Sequence, residues 1–248
     1  MLISAGIARR MYPLTRETPK CLLRIHDDLT ILDIQLCELK KIPVQKIYII
    51  VGFKAKMISD YVSKNYPELP IEFIYNPFFE VSNNLASVWL ALKNIRTDLI
   101  TINGDDVFSI DIIAKLIKAK GDIVVTLSQK NSYDDDDMKV RLHNGILTDI
   151  GKTIIPSHAD AESIGIIKYT QKGLALFKET LDSLIEANHG AINMFYLEAI
   201  DDLAKRTSAI KTTIVDQSQW YEFDFPEDIE TIKRNIFENK TSIDTLRS

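Results

Sequence analysis

The sequence predicts an α/β protein built on a mainly parallel mixed sheet flanked by helices, with a small hairpin and helical region at one side. Short runs rich in β-branched residues alternate with helical patterns through the first half of the chain, which is typical of successive βαβ units. Hydrophobic residues make up 46% of the chain and charged residues 26%, an ordinary globular balance. At 248 residues, we expect a single domain with one core.

The first half supplies the parallel part of the predicted sheet. Each of its helices carries apolar side chains at a spacing of three to four residues, which places them on one face. Ser109 is suited to cap the last of these helices through its hydroxyl oxygen. Strands are predicted at residues 1–4, 46–51, 71–75 and 98–103, and helices at 31–41, 85–94 and 110–118.

The second half adds a hairpin and three helices. His143, Asn144 and Gly145 form a turn sequence between two short apolar runs, which predicts a hairpin on the far side of the sheet. Pro226 suits the first turn of a closing helix, where its missing amide proton is not needed. Strands are predicted at 122–128, 138–142, 146–150, 164–169 and 210–215, and helices at 172–186, 195–205 and from 226 onward.

Charge and cysteine content exclude several classes of function. The net charge is −5, whereas broad affinity for nucleic acid or an anionic membrane needs a sustained basic face. No apolar run approaches the roughly 20 residues that span a bilayer. Cys21 and Cys37 lack CxxC spacing, so we expect free thiols in a reducing compartment. We therefore expect a cytoplasmic protein with no nucleic-acid or membrane partner.

The amino-terminal stretch is locally cationic. Before Ile25 it contains one acidic residue, Glu17, and five basic residues: Arg9, Arg10, Arg16, Lys20 and Arg24. A small-residue loop that leaves a parallel strand presents backbone amides to a phosphate, and ligands of open α/β sheets collect at that edge. The loop lacks the G-K-[ST] of a Walker A motif and the G-x-G-x-x-G of a dinucleotide fold. The loop therefore favours binding of a polyphosphate, and the missing dinucleotide motif disfavours an enzyme that transfers a hydride. The alternative is that the loop is only a solvated basic turn without a ligand.

The complete loop resembles the L-A-A-G-x-G-x-R-L-x-P-L-T motif, followed by P-K, of the nucleotidyltransferase family. The matching residues are Ala5, Gly6, Arg10, Pro13, Leu14, Thr15, Pro19 and Lys20. Ser4 stands where the family usually has Ala, and Ala8 replaces the second Gly, which narrows the backbone conformations available beside the triphosphate. The resemblance implies a Rossmann-like sheet of the nucleotide-diphospho-sugar transferase type. It also implies nucleotide contacts from Ser4, Ala5, Gly6, Ile7, Ala8, Arg9, Arg10 and Lys20, with Arg10 and Lys20 as the catalytic residues that cradle the triphosphate.

An acidic segment after an apolar strand predicts half of a metal site. Gly104, Asp105 and Asp106 follow the apolar strand Leu99 to Ile102. The two carboxylates should therefore emerge at the carboxyl edge of the sheet, near the basic loop. Magnesium prefers carboxylate and phosphate oxygens. We expect Asp105 to bind the metal, Gly104 and Asp105 to contact the nucleotide, and Asp106 either to contact the acceptor or to serve only as a turn former.

The other half of the predicted metal site lies near the carboxyl terminus. Residues 220–228, Trp-Tyr-Glu-Phe-Asp-Phe-Pro-Glu-Asp, resemble the family's E-x-D-T-P-E-D segment. Asp224 matches the family's second metal-binding aspartate, so the resemblance implies Mg²⁺ held by Asp105 and Asp224. An aspartate at this place could instead only cap the last helix. Phe225 replaces the family's Thr and leaves the carboxylate unaffected.

A polar cluster before a helix predicts contacts to the base. Ser82, Asn83 and Asn84 together exceed what a helix cap needs, and their side chains could hydrogen-bond a base or ribose. Residues 80–89 resemble the N-N-x-x-S-L segment of phosphocholine cytidylyltransferases, which adds Ser87 to the nucleotide contacts. The resemblance spans nearly the whole chain and favours CTP as the nucleotide.

Residues further along predict the acceptor pocket. Glu162 and Ser163 belong to the same resemblance, and Lys139 heads the predicted hairpin, where a Lys of this subgroup approaches the phosphate being coupled. A surface lysine is the alternative for Lys139. The run Asp134 to Asp137 is expected to be a solvated mobile loop, because adjacent carboxylates repel each other.

Together these features predict a magnesium-dependent cytidylyltransferase. It would couple CTP to a small phosphorylated metabolite, such as phosphocholine, an aminoalkyl phosphonate or a phosphorylated amino acid or amide, for surface polysaccharide synthesis. We expect a nucleotide-binding half at 1–130, an acceptor-binding half at 131–225, and a closing helix and tail at 226–248. The alternatives are a sugar-1-phosphate nucleotidyltransferase, a metal-dependent glycosyltransferase that uses an NDP-sugar, and a nucleotide sensor without turnover. The sequence leaves the oligomeric state open, a homo-oligomer included.

Overall fold

The computed structural model describes residues 1–234, and the predicted tail beyond them lies outside the described residues. The chain divides into two compact units. The first contains Met1–Glu80, Asn103–Ile113 and the segment that begins at Ser218, and the second contains Val81–Ile102 and Ala114–Gln217. Within residues 1–234, every helix falls short of the length or the hydropathy that a membrane span requires.

Strands and helices alternate along most of the described chain. The strands are β1 Leu2–Ser4, β2 Arg24–His26, β3 Leu29–Thr30, β4 Ile47–Val51, β5 Ile71–Tyr75, β6 Leu99–Asn103, β7 Asp106–Phe108, β8 Ile123–Ser128, β9 Lys139–His143, β10 Ile146–Gly151, β11 Ala161–Tyr169, β12 Ile210–Val215 and β13 Trp220–Glu222. The helices are α1 Ile31–Lys40, α2 Ala55–Asn65, α3 Asn84–Leu92, α4 Ile110–Lys118, α5 Gln171–Ala187, α6 Leu197–Arg206 and α7 Asp228–Lys233.

The first unit is built on three parallel strands. β1 pairs with β4, and β4 pairs with β5, in a register that places Leu2 beside Ile49. Most side chains of β4 are buried, as expected for a strand covered on both faces. Helix α1 begins at a capping box, in which the Thr30 hydroxyl accepts from the Asp33 amide and the Asp33 carboxylate accepts from the Thr30 amide.

A short antiparallel ribbon of β7 and β13 also belongs to the first unit. Its register places Glu222 opposite Asp106. Phe223 follows β13 and is fully buried in a cluster with Met11 and Ile34. Burial of a side chain of this size stabilises a fold by roughly 1.5–3 kcal/mol. The ribbon is therefore fixed against α1 and against the short 3₁₀ turn that carries the basic loop.

The second unit is a mixed sheet centred on β11. This strand runs antiparallel to β6, β8 and β9, while β8 pairs in parallel with β12. β9 and β10 form the predicted hairpin, and its turn uses Asn144 and Gly145 at positive φ, 52° and 75°, as a tight hairpin requires. Within β11 the register shifts between Ser163 and Ile167, and Gly165 there has a φ of 72°, so the strand carries a bulge.

The predicted fold class is confirmed, because helices flank a mixed sheet that includes the expected parallel strands. The structure adds α2, the β2–β3 pair, β7 and β13. Helix α2 has no side-chain cap and no acidic residue in its first turn, so no start signal in the sequence marks this helix. β7 and β13 have three residues each, too few for a recognisable alternation. β11 begins at Ala161 rather than 164, and α7 at Asp228 rather than 226.

Candidate active site

Three carboxylates converge beside the β7–β13 ribbon. Asp105 precedes β7, Glu222 ends β13, and Asp224 follows shortly after. The Phe223 amide donates a hydrogen bond to the Asp105 carbonyl at 3.1 Å, which ties the two segments together. One carboxylate oxygen from each of the three acidic residues lies within 4.8 Å of the others. The two aspartates that the sequence predicts as metal ligands are therefore neighbours.

The Lys20 ammonium group lies between the two aspartates. Its Nζ donates to Asp105 Oδ2 at 2.8 Å and to Asp224 Oδ1 at 2.7 Å. Burial by itself would lower the pKa of Lys20, but the two carboxylates outweigh burial and raise this pKa above its ordinary value. Lys20 is thus a fixed positive charge at physiological pH, on a side chain that is only 12% exposed.

Arg10 adds a second and more exposed positive charge. It lies in the 3₁₀ turn Arg9–Met11, and its Nη1 donates to Asp224 Oδ2 at 3.2 Å. Its guanidinium carbon lies 5.9 Å from the centre of the Phe225 ring, within the range of a cation–π contact. The Arg10 side chain is 47% exposed, so the ion pair contributes at most about 1 kcal/mol. The guanidinium is therefore accessible to a ligand from solvent.

The backbone after β13 is held by Asp228. Its Oδ2 accepts hydrogen bonds from the Asp224 amide at 2.8 Å and from the Phe225 amide at 2.6 Å. The Asp224 carboxylate faces Lys20 and Arg10. The structure thus gives these capping contacts to Asp228 and places Asp224 in ionic contact with the basic residues.

The basic loop leaves space beside its glycine. A Cβ atom built at Gly6 would meet no protein atom within 4 Å, so packing within the protein does not require glycine there. Close approach of the backbone to a ligand is another reason for glycine. Ala8 has a φ of 53°, a left-handed conformation that costs an L-residue roughly 1–2 kcal/mol. Its carbonyl accepts from the Thr15 hydroxyl at 2.8 Å and from the Met11 amide at 3.0 Å, which holds the loop in this shape.

The other residues of the predicted nucleotide loop differ in exposure. Ala5 is buried, and its carbonyl accepts from the Phe53 amide at 3.0 Å, so Ala5 anchors the start of the loop. Ser4 and Ile7 are partly buried, and Arg9 is exposed. Contact between these residues and a nucleotide remains a prediction.

Gly104 has a reason in packing to be glycine. A Cβ atom here would lie 2.4 Å from the Ile3 carbonyl oxygen and 2.5 Å from Ser4 Oγ. The Gly104 amide also donates to the Ile3 carbonyl at 3.0 Å. The turn before β7 therefore lies directly against β1, which brings Asp105 to the end of the first strand.

Asp106 has a different environment from its neighbour Asp105. It is 1% exposed. Burial, followed by the negative charges of Asp105 and Glu222, raises the pKa of Asp106 well above the ordinary value for an aspartate. The neutral form is therefore easier to populate here than at an exposed aspartate. Its exposure gives no support to the predicted contact with an acceptor, which remains a prediction.

The carboxylate cluster suits a divalent cation such as Mg²⁺. Magnesium binds carboxylate oxygens at about 2.1 Å, so two bound oxygens lie at most about 4.2 Å apart. The 4.8 Å limit among Asp105, Glu222 and Asp224 exceeds this distance by an amount that small side-chain movements can close. Lys20 already places a positive charge between two of these residues. The donor set therefore fits the predicted metal.

In the second unit, the polar residues before α3 make contacts within the protein. Asn83 caps the helix by accepting from the Asn84 amide at 2.8 Å, and Asn84 Oδ1 accepts from the Tyr196 amide at 2.9 Å. Ser82 is partly buried and Ser87 is buried. Contact of these four predicted residues with a base or ribose remains a prediction.

Lys139 is fully buried, so the alternative of a surface lysine is wrong. Its Nζ donates to the backbone carbonyls of Asp134, Asp135 and Asp137 at 2.8, 3.1 and 3.2 Å. These bonds close the acidic run, which is exposed at Asp134 to Asp136, into a tethered loop. An ammonium group has three N–H donors, so contact with an acceptor phosphate requires at least one of these bonds to be exchanged.

Glu162 lies opposite Lys139 in the pairing of β11 with β9. Lys130 Nζ is 2.9 Å from Glu162 Oε2 and 2.8 Å from Asp137 Oδ2. Burial raises the pKa of Glu162 despite the neighbouring ammonium group, which acts in the opposite direction. Ser163 is the next residue of β11 and is also buried. The three predicted acceptor residues of this unit are therefore neighbours.

Three residues of these clusters are absent from the sequence predictions. Glu222 stands two positions before Asp224, a spacing that places both side chains on one side of an extended segment, and this signal could have identified it. Lys130 follows β8 without a motif. Gln35 lies in α1, where it donates to backbone carbonyls on both sides of Asp105, but its sequence pattern indicates only packing. Only the pairing of distant segments reveals the last two.

Comparison with known proteins gives a consistent result. Residues 1–175 match the family model of nucleotidyl transferases. CTP:phosphoglutamine cytidylyltransferase of Campylobacter jejuni is 25% identical over 93% of this chain and 97% of its own length. The relative therefore spans almost the whole molecule.

Two solved structures share the fold. CTP:phosphocholine cytidylyltransferase from Streptococcus pneumoniae superposes with a TM-score of 0.76 at 18% identity, covering 95% of this chain and 97% of that one. The inositol-1-phosphate CTP transferase from T. maritima superposes with a TM-score of 0.77 at 18% identity, covering 94% and 92%. At this identity the two structures establish the Rossmann-like fold alone. The family model covers well over half of the residues, and the chain therefore belongs to the nucleotidyl transferase family and is a nucleotidyltransferase.

Proposed function

We propose that this protein is a magnesium-dependent cytidylyltransferase that couples CTP to a small phosphorylated metabolite and releases pyrophosphate. The observation that carries the proposal is the convergence of three carboxylates with Lys20 and Arg10 within one unit. Opposite charges fixed side by side suit a reaction in which a polyphosphate and a divalent metal meet.

The proposed reaction needs charge neutralisation more than proton transfer. A phosphate oxygen of the acceptor forms a bond to the α-phosphorus of CTP, the bond from that phosphorus to the bridging oxygen breaks, and pyrophosphate leaves. The second pKa of a phosphate monoester is about 6, so its oxygen is largely ionised near neutrality. The protein must bring two anions together in line, and alignment and positive charge serve this purpose.

Each residue of the cluster has an electrostatic role in the proposal. Lys20 and Arg10 provide positive charge for the triphosphate, and the space beside Gly6 leaves room for a phosphate at the loop backbone. Asp105, Glu222 and Asp224 would hold Mg²⁺, which neutralises phosphate charge when it is bound. If Lys20 turns toward a phosphate, Asp105 and Asp224 lose the ammonium group as a partner. A bound Mg²⁺ would then supply the positive charge that these two carboxylates need.

The choice of CTP and of a small acceptor is supported by the relatives. By their names, the three proteins compared above use CTP and act on phosphoglutamine, phosphocholine and inositol 1-phosphate. What these acceptors share is a phosphoryl group on a small polar molecule. We assign nucleotide contacts in the second unit to Ser82, Asn83, Asn84 and Ser87, and acceptor contacts to Lys139, Glu162 and Ser163.

The ion-pair cluster of the second unit supports the acceptor assignment. Lys130 contacts both Asp137 and Glu162, and Glu162 is 5% exposed. A buried ion pair adds little net stability compared with apolar residues of similar volume. Packing alone therefore gives little reason for charges here, whereas recognition of a charged acceptor does. The described cysteines are free thiols, in keeping with the proposed cytoplasmic location.

Pyrophosphate release tests the proposed function. The purified protein is assayed with each of the four NTPs against phosphocholine, an aminoalkyl phosphonate, phosphoglutamine and a sugar 1-phosphate, with and without MgCl₂. We expect release that depends on CTP, on Mg²⁺ and on one of the first three acceptors. Asp224→Asn should abolish it, whereas Asp111→Asn, which removes an exposed carboxylate in α4, should not.

Other outcomes of the same assay identify the alternatives. Release only with a sugar 1-phosphate would support a sugar-nucleotide enzyme. Cleavage of an NDP-sugar without pyrophosphate would support a glycosyltransferase. Binding of CTP without turnover on any acceptor would support a sensor and contradict the proposal.

A further inference from the structure

The turn that carries Asp105 is held by Gln35 of helix α1. Gln35 is 0% exposed. Its Nε2 donates to the Asn103 carbonyl at 3.0 Å and to the Asp106 carbonyl at 2.8 Å. These carbonyls flank Gly104 and Asp105 in the chain, so a single amide group bridges both ends of the turn.

Only one orientation of the Gln35 side chain makes these bonds. Nε2 carries two N–H donors, whereas Oε1 only accepts, and the reversed amide would place Oε1 against two carbonyl oxygens. In the orientation adopted, Oε1 is buried and has no hydrogen-bond partner among residues 1–234. An unsatisfied buried acceptor is destabilising, and methionine would fill the same volume without it. What distinguishes Gln35 from an apolar residue is therefore its pair of bonds to the turn.

Two further hydrogen bonds complete the immobilisation of the turn. The Gly104 amide donates to the Ile3 carbonyl at 3.0 Å, and the Asp105 carbonyl accepts from the Phe223 amide at 3.1 Å. The peptide groups around Asp105 thus have partners on β1, on α1 and on the segment after β13. With its backbone held from three sides, Asp105 keeps its carboxylate beside Lys20.

We propose that Gln35 is a positioning residue for the metal site, because its bridge between the Asn103 and Asp106 carbonyls holds Asp105 where it can bind the metal. The inference rests on the proposed function for the metal at Asp105, although Gln35 itself acts only through the turn. Groups that orient a metal ligand typically change metal affinity about 10–100-fold when they are replaced.

Glu38 offers a matched control on the same helix. It is also 0% exposed. Its Oε2 accepts from the Ile110 amide at 2.7 Å, and its Oε1 accepts from the Lys41 ammonium group. Glu38 therefore holds the same stretch of chain, but beyond β7 and further along from Asp105. Gln35→Met and Glu38→Met each remove a buried hydrogen-bonding group from α1 at nearly constant volume. A general loss of stability affects both variants, whereas only Gln35→Met releases the turn.

Metal binding is measured by titrating the full chain with Mn²⁺, a probe that requires no turnover, and urea unfolding records the stability of each variant. We expect both variants to lose stability, and Glu38→Met at least as much as Gln35→Met, because it also removes the carboxylate that pairs with Lys41. Gln35→Met should bind Mn²⁺ about tenfold or more weakly than Glu38→Met, and a higher Mg²⁺ concentration should restore part of its rate. Equal Mn²⁺ affinities in the two variants would overturn the proposal. If Gln35→Met does not fold, Gln35→Asn replaces it in the comparison. Asparagine keeps the amide donor but is too short to bridge both carbonyls, so it should weaken Mn²⁺ binding in the same direction but by less.

Hydrogen exchange separates this inference from the proposed function. Peptides that cover residues 103–108 should exchange faster in Gln35→Met than in Glu38→Met even without added metal. If the wild-type protein binds no Mn²⁺, the proposed metal site fails, and faster local exchange in Gln35→Met still upholds the bridge that positions Asp105. If residues 103–108 exchange no faster in Gln35→Met than in Glu38→Met, Gln35 does not hold the turn, whatever the metal titration shows.

Discussion

The Lys20 ammonium group donates to Asp105 Oδ2 at 2.8 Å and so joins residues that lie 85 positions apart in the chain. The same group contacts Asp224 at 2.7 Å. A cation is therefore part of the carboxylate cluster even without a metal. Its positive charge offsets the repulsion between the two carboxylates. Lys20 thereby connects the stability of the folded protein to the occupancy of the proposed metal site.

Lys20→Met should destabilise the metal-free protein and remove most of its turnover. The partner carboxylates are 26% and 27% exposed, so solvent screens part of the interaction, and we expect the free energy of unfolding to fall by about 1–3 kcal/mol. Mg²⁺ should recover part of this loss, because it binds the folded state and supplies positive charge. The rate should fall about 10²–10³-fold, as for other single charge-stabilising donors. Urea unfolding with and without MgCl₂ and pyrophosphate release measure these changes.

Lys46→Met is the control for Lys20→Met. The Lys46 ammonium group forms an ion pair with Glu72 at 2.7 Å, and both side chains are about half exposed. Solvent weakens such a pair, so this variant should keep the stability and rate of the wild type. If Mg²⁺ stabilises the wild type more than Lys20→Met, the metal does not replace the charge of the ammonium group.

Asp105→Asn and Asp224→Asn should each abolish turnover and leave the protein folded. Asparagine keeps the shape of each side chain but removes the charge that binds Mg²⁺. Glu222→Gln should retain some activity, because it leaves both aspartates that contact Lys20 and match the family's metal-binding positions, but it should require a Mg²⁺ concentration about tenfold higher. Pyrophosphate release across a series of MgCl₂ concentrations tests all three variants, with circular dichroism as the check on folding. A variant that keeps a near wild-type rate in saturating Mg²⁺ excludes its residue from the site.

Gly6 and Gly104 should respond differently to the same substitution. Alanine at Gly6 meets no protein atom within 4 Å, so Gly6→Ala should change the free energy of unfolding by less than about 1 kcal/mol. Its methyl group would instead occupy the space beside the loop backbone, so the KM for CTP should rise. Alanine at Gly104 would place its Cβ 2.4 Å from the Ile3 carbonyl oxygen, and we expect a loss of about 3 kcal/mol. An unchanged KM in Gly6→Ala would show that the loop backbone does not approach the nucleotide.

The metal-binding pair could be predicted from the sequence because each aspartate follows a recognisable pattern. Asp105 comes after an apolar strand, and the carboxyl ends of parallel strands meet at one edge of a sheet. Asp224 lies in a motif that resembles a known family. Both signals are local in the sequence. Together with the rule that ligands collect at the carboxyl ends of parallel strands, they predict that the two aspartates lie close together.

The contacts of individual side chains could not be predicted in this way. Lys139 heads a hairpin in both the predicted and the observed structure. Its complete burial depends on the pairing that places it opposite Glu162 and on the path of the acidic run around its ammonium group. Local periodicity tells which face of an element is apolar, but not which distant carbonyl a lysine or a glutamine reaches. Gln35 is missed for the same reason.

Ala8→Gly should leave stability almost unchanged, because opposing effects are of similar size. Glycine would remove the cost of the left-handed backbone at φ 53°, roughly 1–2 kcal/mol. Against this, the unfolded chain gains entropy worth about 0.5–1 kcal/mol, and the methyl group loses its packing against the cluster that includes Met11 and Phe223. Urea unfolding should show a change below about 1 kcal/mol. A loss above about 2 kcal/mol would show that the left-handed backbone at Ala8 carries little strain.

Tyr61 should make stability depend on pH in the alkaline range. Its hydroxyl donates to Asp33 Oδ2 at 2.7 Å. Burial, followed by this hydrogen bond and the charge of Asp33, raises the pKa of Tyr61 to about 12. In the unfolded chain the pKa of a tyrosine is about 10, so the folded protein holds this proton more tightly. The contribution to stability is complete below a pH of about 10 and is lost as the pH rises from about 10 to about 12.

Tyr61→Phe isolates this contribution. The variant loses the hydrogen bond to Asp33, so at a pH of about 8 its free energy of unfolding should be lower than that of the wild type by about 1 kcal/mol. As the pH passes about 10, the difference between the two proteins should shrink, because only the wild type loses the contribution of the Tyr61 proton. Tyr66 donates to the other oxygen of Asp33 at 2.7 Å and is present in both proteins, so its effect largely cancels in the comparison. Urea unfolding at several pH values measures the difference, and a constant difference across this range would mean that the pKa of Tyr61 is the same in the folded and unfolded states.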